Sequence, residues 1–194
     1  MHNPLTQFTQ WFNDAKAHPA IADATAMTVA TATPDGKPAA RILLLKGFDV
    51  DGFVFYGNME SRKFRELAAN PQAALLFYWA PLDRQVRIEG TVTKVSDAEA
   101  DAYFATRDRG KQIGAWASFQ SQPLENRDLL RARIEEFSKV YEGMTVPRPP
   151  HWSGWRLCPT SIEFWCQGEY RLHTRDVYTR ANAKDAWAHT LLYP

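Results

Sequence analysis

Between residues 27 and 58 the chain alternates β-rich runs with tight turns: "MTVATAT", "PDGKP", "ARILLLKGF", and a second Asp-Gly at Asp51-Gly52 that leads into "FVFYGN". Asp-Gly between such runs is a hairpin signal, because the left-handed backbone of a tight turn suits Gly. Hairpins force antiparallel pairing, and the rest of the chain supplies more strands of the same kind. "QAALLFYW" and "RQVRIEGTVTKV" read as two; "WRLCP", "SIEFWC", "YRLHTRDVYTR" and a run near "AWAHTLLYP" close the chain. Helices are inserted among them. Leu5, Phe8, Trp11, Phe12 and Ala15 recur at helical spacing over residues 4–17. "ESRKFRELAANP" is a short helix with Ser61 as N-cap and Pro71 beyond its end, and Ser96 with Glu99 makes the capping box of a helix through "DAEADAYFATR". A further helix over residues 124–142 uses Leu129, Leu130, Ile134, Phe137 and Val140, and "VPRPPHW" is a stiff connector. Strands in hairpin order with flanking helices predict a mainly β, α+β fold built on an antiparallel barrel. Neither GxGxxG nor GxxxxGK[ST] occurs, so a bound phosphate must be held by side chains.

With 194 residues, 45% hydrophobic, the chain can bury one sizeable core, and a single domain over 1–194 is expected. Lys plus Arg number 23 against 22 Asp plus Glu, a balance that excludes the cationic excess of a nucleic-acid binder. The opening "MHNPLTQ" lacks the features of a signal peptide, and "AALLFYWAPL" is too short to span a bilayer, so no membrane partner and a cytoplasmic location are expected. Cys158 and Cys166 read as two buried free thiols. The histidines (2, 18, 151, 173 and 189) form no metal-binding spacing, so no metal is expected.

Within this neutral chain, cations are clustered. "RILLLK" carries Arg41 and Lys46 at the ends of four aliphatic residues. "YGNMESRK" puts Tyr56, Ser61, Arg62 and Lys63 at a helix N-terminus, where free N–H groups and the dipole favour an anion, although a solvated helix end is the plainer reading. Gln85, Arg87 and Glu89 share a strand face with Arg84 opposite. Tyr103, Arg107 and Lys111, spaced by four, lie in a row if one helix continues through them; Gly110 is a possible break. Arg171, His173 and Arg175 fall at alternate positions, and a strand would aim all three at one face.

The ordered set "RILLLK", "FVFYGNMESRK", "NPQAALLFYW", "RQVRIEG", "YFATR", "QIGAWASFQS", "VPRPPHW", "EFW" and "RLHTR" resembles the pyridoxine/pyridoxamine 5'-phosphate oxidase family. The resemblance runs from about residue 20 to the end of the chain. It implies a split β-barrel homodimer with FMN at the subunit interface, converting pyridoxamine or pyridoxine 5'-phosphate to pyridoxal 5'-phosphate with O2 as acceptor and H2O2 as product. It implies FMN contacts at Arg41, Tyr56, Gly57, Arg62, Lys63, Gln85, Gln120, Ser121, Trp165 and Arg175. Substrate contacts fall on Lys46, Tyr103, Arg107, Lys111, Arg171 and His173, the last two nearest the reacting carbon, where a catalytic role is expected.

The chain departs from the family pattern in several places. Lys111 stands where a Ser is usual, Gly57 for a Thr, Cys166 for a Gln, and Thr174 where an acid is common; the chain also starts short of the N-terminal arm that can fold over the substrate in relatives, so site closure is expected to differ. Three other readings of the barrel stay open: an FMN oxidase of another reduced aromatic metabolite, such as a phenazine precursor, a non-catalytic flavin-, deazaflavin- or haem-binding protein, and a structural or interaction protein with no ligand, which would leave the cation clusters unexplained.

Overall fold

The computed structural model describes residues 3–194; Met1 and His2 lie outside the described residues. In chain order the elements are α1 (Pro4–Ala17), β1 (Ala26–Ala32), β2 (Pro38–Leu44), β3 (Gly47–Asp49), β4 (Gly52–Asn58), α2 (Arg62–Ala69) and β5 (Gln72–Trp79). There follow β6 (Arg84–Lys94), α3 (Asp97–Ala105), α4 (Arg109–Ala117), α5 (Arg127–Val140), β7 (Trp152–Cys166), β8 (Thr174–Thr179) and β9 (Ala188–Leu191). All pairings are antiparallel, in the order β2-β1-β5-β6-β7-β4-β3, with β8 joined to β7 and β9 to β8.

β7 divides the sheet. One of its edges pairs with β6 along its length; the other pairs with β4 over residues 152–157 and with β8 over 161–166. "WRLCP" and "SIEFWC" are therefore one long strand, bent where the β6 register slips between Glu89 and Gly90. The result is an antiparallel sheet curled into a half-barrel.

α1 plugs that curl. Asn3 accepts from the Leu5 N–H as N-cap, and Pro4 occupies the first helical position, where a missing N–H costs nothing. The buried stripe of Phe8, Phe12 and Ala15 then enters the barrel, where Phe8 meets Phe48, Phe53 and Phe77 at centroid distances of 4.9, 5.0 and 5.3 Å. Burial of a ring like this stabilises by about 2–3 kcal/mol. A second cluster joins Phe104, Ile113, Val146 and Trp152, tying α3 and α4 to the start of β7.

The structure corrects four expectations. The helix holding Tyr103 does not continue to Lys111: it ends at Ala105, and Asp108 starts α4, with Gly110 inside the new helix. "YRLHTRDVYTR" is a strand only from Thr174; Glu169–Arg171 is a single helical turn, with Tyr170 and Arg171 at φ 54° and 65°. Arg171, His173 and Arg175 therefore do not share a strand face. α5 is shorter than residues 124–142, and none of its residues is buried: Leu129, Ile134 and Val140 face outward. Cys158 and Cys166 are unpaired but half-buried rather than buried. Among the described residues no helix is long and apolar enough to cross a membrane.

Candidate active site

A cleft of about 370 Å³ opens between β4, α3 and α4, with Lys46, Tyr56, Tyr103, Arg107, Lys111 and Gln120 on its walls and Gly57 and Trp152 among its other lining residues. Each side chain arrives by a different route. Lys46 follows the end of β2, its N–H anchored on the Val54 carbonyl at 2.9 Å. Tyr56 lies opposite Gly154 in the β4–β7 register, and only glycine leaves room there: a Cβ at Gly154 would fall 2.6 Å from Tyr56 Cδ1. Tyr56, Tyr103 and Trp152 form a cluster of near-parallel rings, with Tyr56 4.2 Å from Tyr103 and 5.4 Å from Trp152 between centroids and the other two 6.1 Å apart. Burial first, then the charge of Glu99, push the Tyr56 phenol up to about 12, so it stays neutral.

The row of Tyr103, Arg107 and Lys111 thus survives the break in its helix. Residues 106–108 turn the chain so that α3 ends and α4 begins on the same cleft. The Arg107 guanidinium lies 4.8 Å over the Trp152 ring and makes no side-chain hydrogen bond among the described residues; its Nη1 is buried and unpartnered. Lys46 Nζ and the Tyr103 hydroxyl have no partner among them either. Burial, then the neighbouring charges of Lys111 and Arg107, hold the Lys46 ammonium below its ordinary value, the Asp23 carboxylate opposing them. Uncommitted donors on three sides of a cleft call for an oxyanion.

Next to this cleft, at the start of α2, Lys63 is 93% buried, the residue retaining 7% of its exposure. Its ammonium donates to Ser61 Oγ at 3.1 Å and Gln120 Oε1 at 3.0 Å, with no carboxylate in contact. Burial, then Arg41, lower it to about 8. Ser61 occupies the N-cap position, but its hydroxyl serves Lys63 and makes no cap bond. Arg41 and Arg62 converge instead on buried Glu66, at 3.3 and 2.8 Å. Burial pushes Glu66 up, yet bonds from Thr31 and Arg62 and the charges of Arg62 and Arg41 outweigh it and hold it below the usual carboxylate range. Arg41 also spends Nη1 on Val29 O and Thr31 Oγ1, so it has few donors left for a ligand. Lys63 and the N–H groups opening α2 fit a second phosphate: a buried ammonium with only neutral partners lacks its counterion.

The remaining residues gather elsewhere. Gln85, Trp165 and Arg175 face one another across β6, β7 and β8. Arg175 and Arg87 both bind buried Glu163, Arg175 Nε at 2.7 Å and Arg87 Nη2 at 2.7 Å. That bond and the Glu163 charge push the Arg175 guanidinium up. His173 packs against Trp165 at 4.6 Å between centroids and accepts the Gly168 N–H at Nδ1, which leaves the neutral ring's proton on Nε2. Arg171 is exposed in the turn before it, and Ser121 sits at φ 69° in the loop after α4. None of Gln85, Arg171, His173, Trp165, Arg175 or Ser121 lines the cleft. Glu66, Glu163, Trp152 and Asp108 were not singled out from sequence. Glu66 lies four residues after Arg62 on a helix, a spacing that signals that one pair, while the other arginines that meet Glu66 and Glu163 are brought there by the sheet.

Residues 14–141 match the family model "Pyridoxamine 5'-phosphate oxidase", and residues 152–194 match "Pyridoxine 5'-phosphate oxidase C-terminal dimerisation region". The chain is 56% identical over 192 residues to the pyridoxine/pyridoxamine 5'-phosphate oxidase of Myxococcus xanthus strain DK1622, covering 99% of this chain and 92% of that one. It is 54% identical to the protein of the same name from Sphingopyxis alaskensis, over 99% and 88% of the two chains. Among solved structures, PhzG from Burkholderia lata in complex with tetrahydrophenazine-1-carboxylic acid is similar at TM-score 0.92 and 33% identity, covering 99% and 93%. A pyridoxamine 5'-phosphate oxidase-related, FMN binding protein from Nostoc punctiforme shares the fold, at TM-score 0.80 and 17% identity over 100% and 98%.

Proposed function

The chain belongs to the pyridoxine/pyridoxamine 5'-phosphate oxidase family, and on that premise we propose how its residues divide the work. The protein is an oxidase that converts pyridoxamine or pyridoxine 5'-phosphate to pyridoxal 5'-phosphate, with O2 consumed and H2O2 released. The observation that carries the assignment of residues is the cleft whose Lys46, Tyr103 and Arg107 donors have no partner among the described residues, with Lys111 at its rim. They hold the substrate phosphate, a dianion near neutral pH that accepts several charge-assisted hydrogen bonds.

FMN fits the second cluster. Lys63, Arg62 and the N-terminus of α2 hold its phosphate, Arg41 adds charge from behind, Tyr56, Gly57 and Gln120 border it on the cleft side, and Ser121 follows in the loop after α4. When bound there, FMN would supply the redox chemistry between the substrate's C4' carbon and O2. The protein's share is orientation: two phosphates fixed in separate cation clusters set the distance between the substrate ring and the cofactor. For the amine substrate, water adds to the resulting imine and expels ammonia.

Gln85, Trp165, Arg171, His173 and Arg175 lie outside the cleft of their own chain, within or opposite the stretch that matches a dimerisation region. In our reading the protein is a homodimer in which these residues close the partner's cleft over the flavin and the reacting carbon. His173 then offers an Nε2–H donor to the substrate's ring substituents, and Arg171 covers the ring with its guanidinium. Anaerobic mixing of the purified yellow protein with pyridoxamine 5'-phosphate tests the function: the flavin absorbance bleaches within the turnover time and returns with O2. A flavin that stays oxidised overturns it. The PhzG likeness supports a phenazine-type substrate as the second reading, and unphosphorylated tetrahydrophenazine carboxylate in the same assay separates the two.

A further inference from the structure

The carboxylate of Asp108 is placed where a capping residue belongs and is used for something else. Asp108 starts α4, a position where an aspartate ordinarily accepts an N–H of the first turn and stabilises a helix by about 1 kcal/mol. Its side chain makes no cap bond; Oδ2 instead accepts from Lys111 Nζ at 2.6 Å. Lys111 lines the cleft beside Arg107, Lys46 and Tyr103, so the carboxylate reaches the one cleft ammonium that already has an acid partner. Both side chains are largely exposed, 68% and 77%, and an ion pair in that setting is weak enough to be exchanged for another anion.

We propose that Asp108 is a positioning and release residue: it holds Lys111 at the cleft rim and competes with the substrate and product phosphate for that ammonium. The proposal rests on the reading of the cleft as the substrate phosphate site. Substrate and product carry the same phosphate, and no bond to it changes in the reaction. Whatever holds it therefore holds both equally, which lowers KM without raising kcat, and too firm a grip delays product departure. A third cation at the rim, beyond Lys46 and Arg107, strengthens that grip. A neighbouring carboxylate that must be displaced weakens it again and returns Lys111 to its starting place when the product leaves. Of the carboxylates whose charge reaches these cations, Asp23 acts on Lys46, and Asp108 acts on Lys111 and Arg107.

The test is calorimetric titration of the FMN-loaded protein with inorganic phosphate, the cofactor's own phosphate site being filled, alongside steady-state kinetics. Asp108→Asn should bind phosphate roughly fivefold more tightly, equivalent to about 1 kcal/mol, and should lower KM and kcat together. In a Lys111→Ser background, the same Asp108→Asn change should shift phosphate affinity by no more than about twofold, because the direct ion pair is gone and only the longer-range pull on Arg107 remains. Unchanged or weaker phosphate binding in Asp108→Asn overturns the proposal, as does an equal gain in the Lys111→Ser background. Asp108→Ser, which restores a capping hydroxyl without charge, guards against a change in helix stability: it should bind phosphate as tightly as Asp108→Asn. Wild-type protein that fails to bind phosphate at all contradicts the cleft assignment itself, a result distinct from either.

Discussion

The cleft side of the molecule and the C-terminal side handle positive charge in opposite ways. Around the cleft, Lys63 is buried, Arg107 half-buried and Lys46 exposed at the rim, none with a carboxylate in contact among the described residues, and Lys63 sits at about 8 as a consequence. Around β8, Arg175 and Arg87 share buried Glu163, Arg87 with Glu89 as a second acid partner, while Arg171 is exposed on the turn before β8 and His173 is half-buried beside Trp165. The first arrangement costs stability and is completed by an anion. The second is self-sufficient as a structure and presents donors outward, so it is completed by a surface laid over it. On the function proposed above, one chain carries two halves of a site, and dimerisation brings unlike halves together.

The largest expected effect is on the cleft side. Arg107→Ala should reduce kcat/KM for the phosphorylated substrate on the order of 100-fold, chiefly through KM, since a charged, desolvated partner of the phosphate is lost; steady-state kinetics checks it. A similar loss with an unphosphorylated substrate would break the comparison. Glu163→Gln should destabilise the fold by about 2 kcal/mol, because Arg175 loses its carboxylate and Arg87 keeps only half-exposed Glu89, and denaturant unfolding measures it. Lys63→Met should do the reverse in the cofactor-free protein, raising Tm at pH 7 by about 3 °C while weakening FMN binding at least tenfold. The sign follows from the lowered ammonium. The folded state binds its proton less well than the unfolded state, so the penalty is full below about pH 8 and fades as pH rises toward the ordinary lysine value of 10.5. The melting advantage of Lys63→Met should therefore shrink over that range, and a constant advantage would show that charge burial is not its source.

Much of this was legible in the residues. α1 begins and ends as its periodicity and Pro4 dictate, and the hairpins lie where Asp-Gly turns place them. The cleft members Lys46, Tyr56, Tyr103, Arg107 and Lys111 were all named, yet for Tyr103, Arg107 and Lys111 the geometric reason differed. They meet because two helices abut at residues 106–108, and periodicity cannot see a chain reversal that restores the same face. The strand expected through Arg171 failed because alternation counts residues without registering the positive φ of Tyr170 and Arg171, which nothing in their side chains announces. Glu66 and Glu163 were missed because a carboxylate's role depends on which arginines reach it across 25 and 76 residues of chain, and those distances are set by the sheet.

The claim that each site is built from two chains is tested most directly by co-expressing two impaired variants, Arg107→Ala and the double change Arg171→Ala with His173→Ala, and assaying the mixed dimers at substrate far below KM, where kcat/KM sets the rate. Each mixed dimer then holds one intact site and one doubly damaged site. Random pairing predicts recovery of about a quarter of wild-type activity. Activity no greater than the average of the two separate variants would contradict the account, because it would mean that the cleft and the C-terminal turn serve each other within a single chain.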